Sequence, residues 1–240
     1  MDAHYEIAEL VELYDVACGW SPDRDFYLAL AGAAPIAVLD LGCGTGLLCD
    51  AYAVRNHEVT GVDPSPAMLA VAQRKPNASV ITWVQASAQD HRSDQKFDLE
   101  IMTGHAFQTL LDDADILRAF ETMRAHLNPG GLIVFESRNP GFDWRSVWDR
   151  DKMLEHSGLR IVERSRLLEL EDGRLTFELT YLFPEKTLVS RSVLNFPTRA
   201  KVLALLSESG LSVEAVLGDW DGTPFDEGAS REMIFLARAA

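Results

Sequence analysis

The sequence predicts an α/β fold, a mostly parallel sheet with helices on both faces. Three observations carry that prediction. Short apolar runs alternate with segments of helical period from Ala37 to Glu136. The first run, Val38-Leu39-Asp40-Leu41, passes directly into a glycine elbow, Gly42-Cys43-Gly44-Thr45-Gly46. The second run, Val59-Thr60-Gly61-Val62, closes on Asp63, seventeen residues beyond Gly46. That spacing leaves room for one helix between two parallel strands.

The elements follow in order. Ile7, Leu10, Val11 and Tyr14 stand at helical spacing and predict a helix over 6–13. Cys18-Gly19-Trp20-Ser21-Pro22-Asp23 breaks it; a second helix over 25–33 is ended by Pro35. A strand over 37–41 leads through the elbow into a helix over 47–55, then a strand over 58–62. Pro66 suits the first turn of the next helix, which runs to 74. Strands are predicted over 80–85 and 97–102. Asp112-Asp113-Ala114-Asp115 sets acids at the positive end of a helix that continues to 127 and stops at Asn128-Pro129-Gly130-Gly131. A strand over 132–136 completes the alternation. The period then changes to two over 159–170, 174–183 and 187–195, with Asp172-Gly173 as a turn, which predicts an antiparallel meander. A helix over 199–209, ended by Gly210, and strands over 212–217 and 232–237 close the chain. One domain spanning 1–240 is expected, with an N-terminal helical cap over 1–35 and an inserted meander over 141–197.

The elbow and Asp63 together describe a nucleoside-binding unit: glycines let backbone approach a ligand, and a carboxylate at the second strand's end can accept from two ribose hydroxyls. Dinucleotide sites use G-x-G-x-x-G, because a pyrophosphate sits on the helix N-terminus. Here the third glycine comes one residue early, with Leu47 in its usual place, and Asp40 stands two residues before the first glycine. That negative charge suits a cationic ligand better than an anionic one.

The run Asp40-x-Gly42-x-Gly44-x-Gly46, followed by Val62-Asp63-Pro64-Ser65-Pro66-Ala67-Met68-Leu69, resembles the class I S-adenosylmethionine-dependent methyltransferases. Their ligand carries a sulfonium, an ammonium and a ribose but no phosphate. The resemblance covers roughly 14–240 and implies a Rossmann-like, seven-stranded sheet of order 3-2-1-4-5-7-6, with strand 7 alone antiparallel. It also implies that the meander after strand 5 is a lid and part of the acceptor pocket.

By that resemblance Gly42, Gly44 and Gly46 approach the methionine part of the cofactor, and Asp40 meets its ammonium, directly or through water. Asp63 holds the ribose; Pro64 and Met68 lie near the adenine. An acid usually follows strand 3 and receives the adenine amine, whereas here Ser87 stands in that place, so the Ser87 hydroxyl or the Ala88 backbone is expected to substitute. Thr103 and Gly104, after strand 4, contact the cofactor through backbone. His105 is the candidate base, since imidazole titrates near neutrality. Arg138 can hold an acceptor carboxylate, Glu136 can face a cationic acceptor, and Tyr14, Trp20, Trp144 and Trp148 flank the site.

The expected reaction is in-line methyl transfer to an N or O atom of a small-molecule acceptor. A sulfonium is already activated, so no metal is needed, and the cysteines and histidines show no metal spacing. Cys18, Cys43 and Cys49 form no disulfide framework, which with an acidic start at Met1-Asp2-Ala3-His4-Tyr5-Glu6 points to the cytoplasm. Cys43 sits where a helix N-terminus can depress a thiol pKa, but a small residue fitting the turn explains it as well. A net charge of −15 lacks the basic footprint of a nucleic-acid binder, and no run is long and apolar enough to span a membrane. Oligomeric state is not legible. Two rival readings stand beside this one: a nicotinamide-dependent oxidoreductase, against which the early third glycine and Asp40 weigh, and a non-catalytic protein that binds S-adenosylmethionine.

Overall fold

The computed structural model describes residues 2–240; Met1, the first residue of the predicted cap, lies outside the described residues. The chain opens with three short helical turns, α1 (Ala3–Glu6), α2 (Ala8–Glu12) and α3 (Tyr14–Ala17), in place of one helix over 6–13. Ile7 is extended between the first two, and that bend lets one short stretch serve two surfaces. The His4 amide and Nδ1 meet the Ser190 hydroxyl at 3.1 and 2.8 Å, while Leu10 and Leu13 pack on Leu154, Ile161 and Tyr181 of the insertion. Helix α4 (Pro22–Leu30) begins three residues before the expected start, because Pro22 occupies its first turn.

The alternating section then runs β1 (Ala37–Leu41), α5 (Leu47–Val54), β2 (Glu58–Asp63), α6 (Pro66–Ala72), β3 (Thr82–Gln85), β4 (Phe97–Met102), α7 (Asp113–His126) and β5 (Leu127–Arg138). Strand β5 starts five residues earlier than predicted. Phe97 pairs with Leu127 and Leu99 with Leu132, so Asn128-Pro129-Gly130-Gly131 forms a bulge within the strand. The insertion holds four strands, β6 (Arg150–His156), β7 (Leu159–Glu171), β8 (Arg174–Leu182) and β9 (Thr187–Asn195), in that order and all antiparallel. Strand β6 has no apolar alternation because it is an edge strand and buries only Leu154. Helix α8 (Arg199–Glu208), β10 (Leu211–Leu217) and β11 (Glu232–Ala239) complete the chain.

The main sheet has the order β10-β11-β5-β4-β1-β2-β3, with β11 antiparallel to both neighbours and the other pairings parallel. This is the order the family resemblance implies. Alternation along the strands loads both faces. Leu39, Leu41, Phe120, Phe135 and Phe235 fill one core with α7 and α8, while Val38, Ile101, Val134 and Ile234 fill the other with α4 and α5. A smaller cluster, Trp144, Trp148, Leu175, Leu194 and Phe196, lies under the insertion. No helix among the described residues is long and apolar enough to cross a membrane.

One buried acid breaks the apolar pattern. Glu100, in the middle of β4, is 0% exposed, and neither carboxylate oxygen has a partner among the described residues. Burial pushes its pKa well above 4.5, with only Lys96 opposing. A carboxyl whose folded pKa is raised contributes most to stability below its unfolded pKa and loses that contribution as pH climbs toward the folded value. Glu100→Leu is therefore expected to stabilise the protein by about 2 kcal/mol at neutral pH, since an unpartnered buried polar group is removed. Urea unfolding at pH 4.5 and at pH 8 checks this; a gap between variant and parent that fails to widen with pH contradicts it.

Candidate active site

The carboxyl ends of β1, β2, β3 and β4 open into a cavity of about 600 Å³. Asp63 ends β2 at its floor. Asp63 Oδ2 accepts from the Gly44 amide at 2.9 Å and Oδ1 from the Ser65 amide at 2.8 Å. Each oxygen keeps a lone pair for a further donor. Burial raises the Asp63 pKa, and these two amides oppose the shift.

The elbow is held by its own backbone: the Gly42 and Cys43 amides both donate to Val62 O, at 2.8 and 3.0 Å. The three glycines serve different ends. A Cβ on Gly44 would meet nothing nearer than Tyr14 at 3.9 Å, so its backbone faces the open cavity. A Cβ on Gly42 would lie 2.8 Å from that of Ala106, so this glycine lets the loops after β1 and β4 touch. Gly46 does not line the cavity. It has φ +72°, and a Cβ there would fall 2.5 Å from Trp83 Cη2. Left-handed strain and overpacking together predict that Gly46→Ala costs about 2 kcal/mol of stability, read as a lowered urea midpoint; an unchanged midpoint contradicts it.

Of the remaining candidate cofactor residues, Pro64, Met68, Ser87, Thr103 and Gly104 line the cavity, whereas Asp40 and Ala88 do not. The Ser87 hydroxyl donates to Asp90 Oδ2 at 2.7 Å. Asp40 lies beneath the elbow, 1% exposed, with Oδ2 accepting from the Cys49 thiol and Oδ1 without a partner among the described residues. Burial pushes its pKa up to about 7. Cys43 behaves oppositely to the helix-terminus expectation, since burial raises its pKa.

A second cavity, about 390 Å³, adjoins the first, and Tyr5, Tyr14 and Gly104 line both. Its walls come from three parts of the chain: the cap, the carboxyl edge of the sheet, and the insertion through Trp144, Trp148, Glu163 and Tyr181. Gly104 and His105 both have positive φ, +65° and +62°, which turns the chain sharply after β4. The His105 amide donates to Glu136 Oε1 at 2.6 Å, and Glu136 Oε2 accepts from the Tyr27 hydroxyl. Glu136 is thus consumed in holding this turn and does not face the second cavity, which corrects the expectation that it meets a cationic acceptor. Trp20 also departs from expectation: it lies outside both cavities, and its indole donates to Asp25 at 2.8 Å.

His105 Nε2 stands 2.9 Å from Glu232 Oε2. Burial pushes the imidazole down to about 3 and the carboxyl up to about 7. With the carboxylate ionised, Nε2 carries the proton and donates, leaving Nδ1 unprotonated. Sequence reasoning missed Glu232 and Tyr5. Glu232 reaches the site because β11 pairs it with Arg138 on β5, a register that no local signal encodes. Tyr5 falls in the short first helix, at the margin of the periodic run.

A family model described as a methyltransferase domain matches residues 38–131. The chain is 27% identical to a cypemycin N-terminal methyltransferase of a Streptomyces species, over 94% of each chain. It superposes on the sugar N-methyltransferase KedS8 of Streptoalloteichus with a TM-score of 0.81 at 22% identity, covering 98% of this chain and 93% of that one. It also superposes on an amino pentose methyltransferase of Micromonospora echinaspora with S-adenosylmethionine bound, with a TM-score of 0.73 at 22% identity, covering 94% and 95%. The sheet order, the glycine elbow closed by Asp63, and the matched family model agree: residues 38–131 match a methyltransferase domain, and the chain as a whole has the fold of S-adenosylmethionine-dependent methyltransferases.

Proposed function

We propose that this enzyme methylates the nitrogen of a small amine, bound in the second cavity, with S-adenosylmethionine bound in the first. The observation that carries this is the junction: the two cavities share Tyr5, Tyr14 and Gly104, and the His105–Glu232 pair lines the acceptor side beside it. The sugar methyltransferase is named an N-methyltransferase and the cypemycin relative an N-terminal methyltransferase, the end of a chain that carries an amine, which supports nitrogen over oxygen.

The residues present fit the cofactor. Asp63 has two unfilled lone-pair positions for the ribose hydroxyls, and Gly44 leaves open space for close backbone approach, whereas Asp40, beneath the elbow and outside the cavity, would reach the ammonium only through a bridging water. The Pro64 and Met68 side chains border the adenine side, with Ser87 and Ala88 following β3, and Thr103 and Gly104 present backbone near the reacting end. Bound there, the cofactor supplies an electrophilic methyl group.

The protein's part is alignment and proton handling. The Gly104–His105 turn sets the acceptor in line, and the cap and insertion exclude water from the junction. An amine attacks only as the free base. The His105 imidazole, pushed down to about 3, is too weak a base alone, whereas Glu232, near 7, can take the amine's proton directly or through the ring. We assign the pair, with His105 toward the acceptor, as the base. Incubation with S-adenosylmethionine and a panel of primary amines, matched alcohols and nicotinamide controls tests the reading. Release of S-adenosylhomocysteine with amines is expected; turnover with alcohols alone, or binding of the cofactor with no turnover of any acceptor, overturns it.

A further inference from the structure

Arg138, the last residue of β5, ends in the second cavity with no carboxylate of its own. Its Nη1 donates to Gln108 Oε1 at 2.9 Å, and its Cζ lies 5.6 Å from the Trp144 ring centroid and 5.2 Å from that of Trp148. The two indoles stand at 78° to one another, so they border the guanidinium from two directions. Among the described residues Arg138 forms no ion pair within 4.0 Å. The acids nearest to it are already used, since Glu136 serves Tyr27 and the His105 amide, and Glu232 serves the His105 ring. Arg150 and Arg231 line the same cavity, also without an ion pair, and Arg231 lies 4.7 Å over Phe142. Guanidiniums thus outnumber the two carboxylates here, Glu163 and Glu232, in a chain whose net charge is −15.

A cation held in an aromatic-walled cavity with no carboxylate in contact is costly unless a ligand supplies the charge. Tethered to Gln108 through one nitrogen and bordered by rings, Arg138 keeps its remaining N–H groups as a planar edge, the shape that pairs two N–H donors with the two oxygens of a carboxylate. We infer that the methyl acceptor is an amino carboxylate, its carboxylate held by Arg138 between Trp144 and Trp148 and its amine directed to the Gly104–His105 junction. A cavity of about 390 Å³ limits the seated part to something near the size of an amino acid with an apolar body, either free or at the end of a peptide. The inference rests on reading this cavity as the acceptor site.

The test is calorimetric titration of the S-adenosylhomocysteine-loaded protein with aromatic amino carboxylates, their primary amides, the decarboxylated amines, and amino phosphonates of the same skeleton. Each carboxylate that binds is expected to do so about 30-fold more tightly than its amide, the worth of a charge-assisted bidentate contact. In Arg138→Gln that gap is expected to close to about threefold, while Arg138→Lys, a point charge without the planar edge, keeps about two thirds of it on a logarithmic scale, roughly tenfold. S-adenosylmethionine affinity is to remain within about twofold in both variants, which separates loss of the carboxylate contact from loss of the fold. Amides binding as tightly as acids, phosphonates binding more tightly than carboxylates, a gap that survives in Arg138→Gln, or no carboxylate binding at about 10 mM each overturn the inference. Failure of the methyltransferase reading would look different, as absent cofactor binding or absent S-adenosylhomocysteine release with acceptors that do bind.

Discussion

Asp63→Ala is expected to weaken S-adenosylmethionine binding by about a thousandfold. The ribose hydroxyls would donate to a carboxylate, and hydrogen bonds to a charged acceptor are worth roughly 1.5–3 kcal/mol each, so losing both removes about 4 kcal/mol. The loss has a second origin in the ligand-free protein. Asp63 also accepts from the Gly44 and Ser65 amides, so alanine frees the elbow that has to present its backbone to the ligand. Asp63→Asn separates the two: its one carbonyl oxygen can serve a loop amide or a hydroxyl, and a loss of about thirtyfold is expected. Because burial raises the Asp63 pKa, cofactor affinity is also expected to fall as pH drops through that raised value, where the protonated group surrenders an acceptor. Calorimetry with S-adenosylmethionine and S-adenosylhomocysteine measures both effects, and urea midpoints of the free proteins account for any loosened elbow. An alanine variant that binds within threefold of the parent would remove the ribose anchor from this account.

Glu232→Gln is expected to lower kcat about a hundredfold and to abolish the acidic limb of the rate profile, in keeping with the usual worth of a positioned base. The sign follows from the environment. Burial raises Glu232 to about 7, Arg138 opposes the shift, and Asp219 and Asp23 add to it, with Arg231 opposing more weakly. The carboxylate is the competent form, so the parent enzyme's rate should rise with pH through about 7 and level off. His105, held near 3 by burial and by Arg138, stays neutral over that range and contributes no limb of its own. Glutamine keeps a hydrogen-bond acceptor for Nε2–H but cannot take a proton, so cofactor affinity should hold while turnover falls. His105→Gln should produce a similar fall in kcat while leaving the limb near 7 in place. A Glu232→Gln profile that still rises through pH 7, or a kcat within threefold of the parent, would show that the pair only holds the loop.

Much of the fold was legible because its signals are local. Strands β1 and β4 have the boundaries expected from their apolar runs, and α5 starts where the elbow ends. Errors fall where a neighbour decides. Ile7 splits the first helix because the cap must meet both Ser190 and the Leu154–Ile161–Tyr181 cluster. Strand β6 exists because β7 offers it a partner, and an edge strand needs no alternating pattern of its own. The same division runs through the site. The elbow glycines and Asp63 lie within one strand–helix–strand unit, so their spacing carried their meaning. Yet Gly46 and Gly44 look alike in sequence and differ in space, one packed on Trp83 and one facing open cavity.

The linear pattern alone determined the strand–helix alternation and the glycine elbow that Asp63 closes, since strand period, glycine freedom and helix length act over a few residues. Tertiary structure decided the acceptor side. Tyr5, His105, Arg138, Trp148 and Glu232 come from distant parts of the chain, and only the packing of cap and insertion over the sheet, with the β5–β11 register, brings them around one cavity. Charges brought together that way acquire their chemistry from burial and from one another, which is why Glu136 became a brace, Glu232 a near-neutral acid, and Arg138 a cation without a counter-ion.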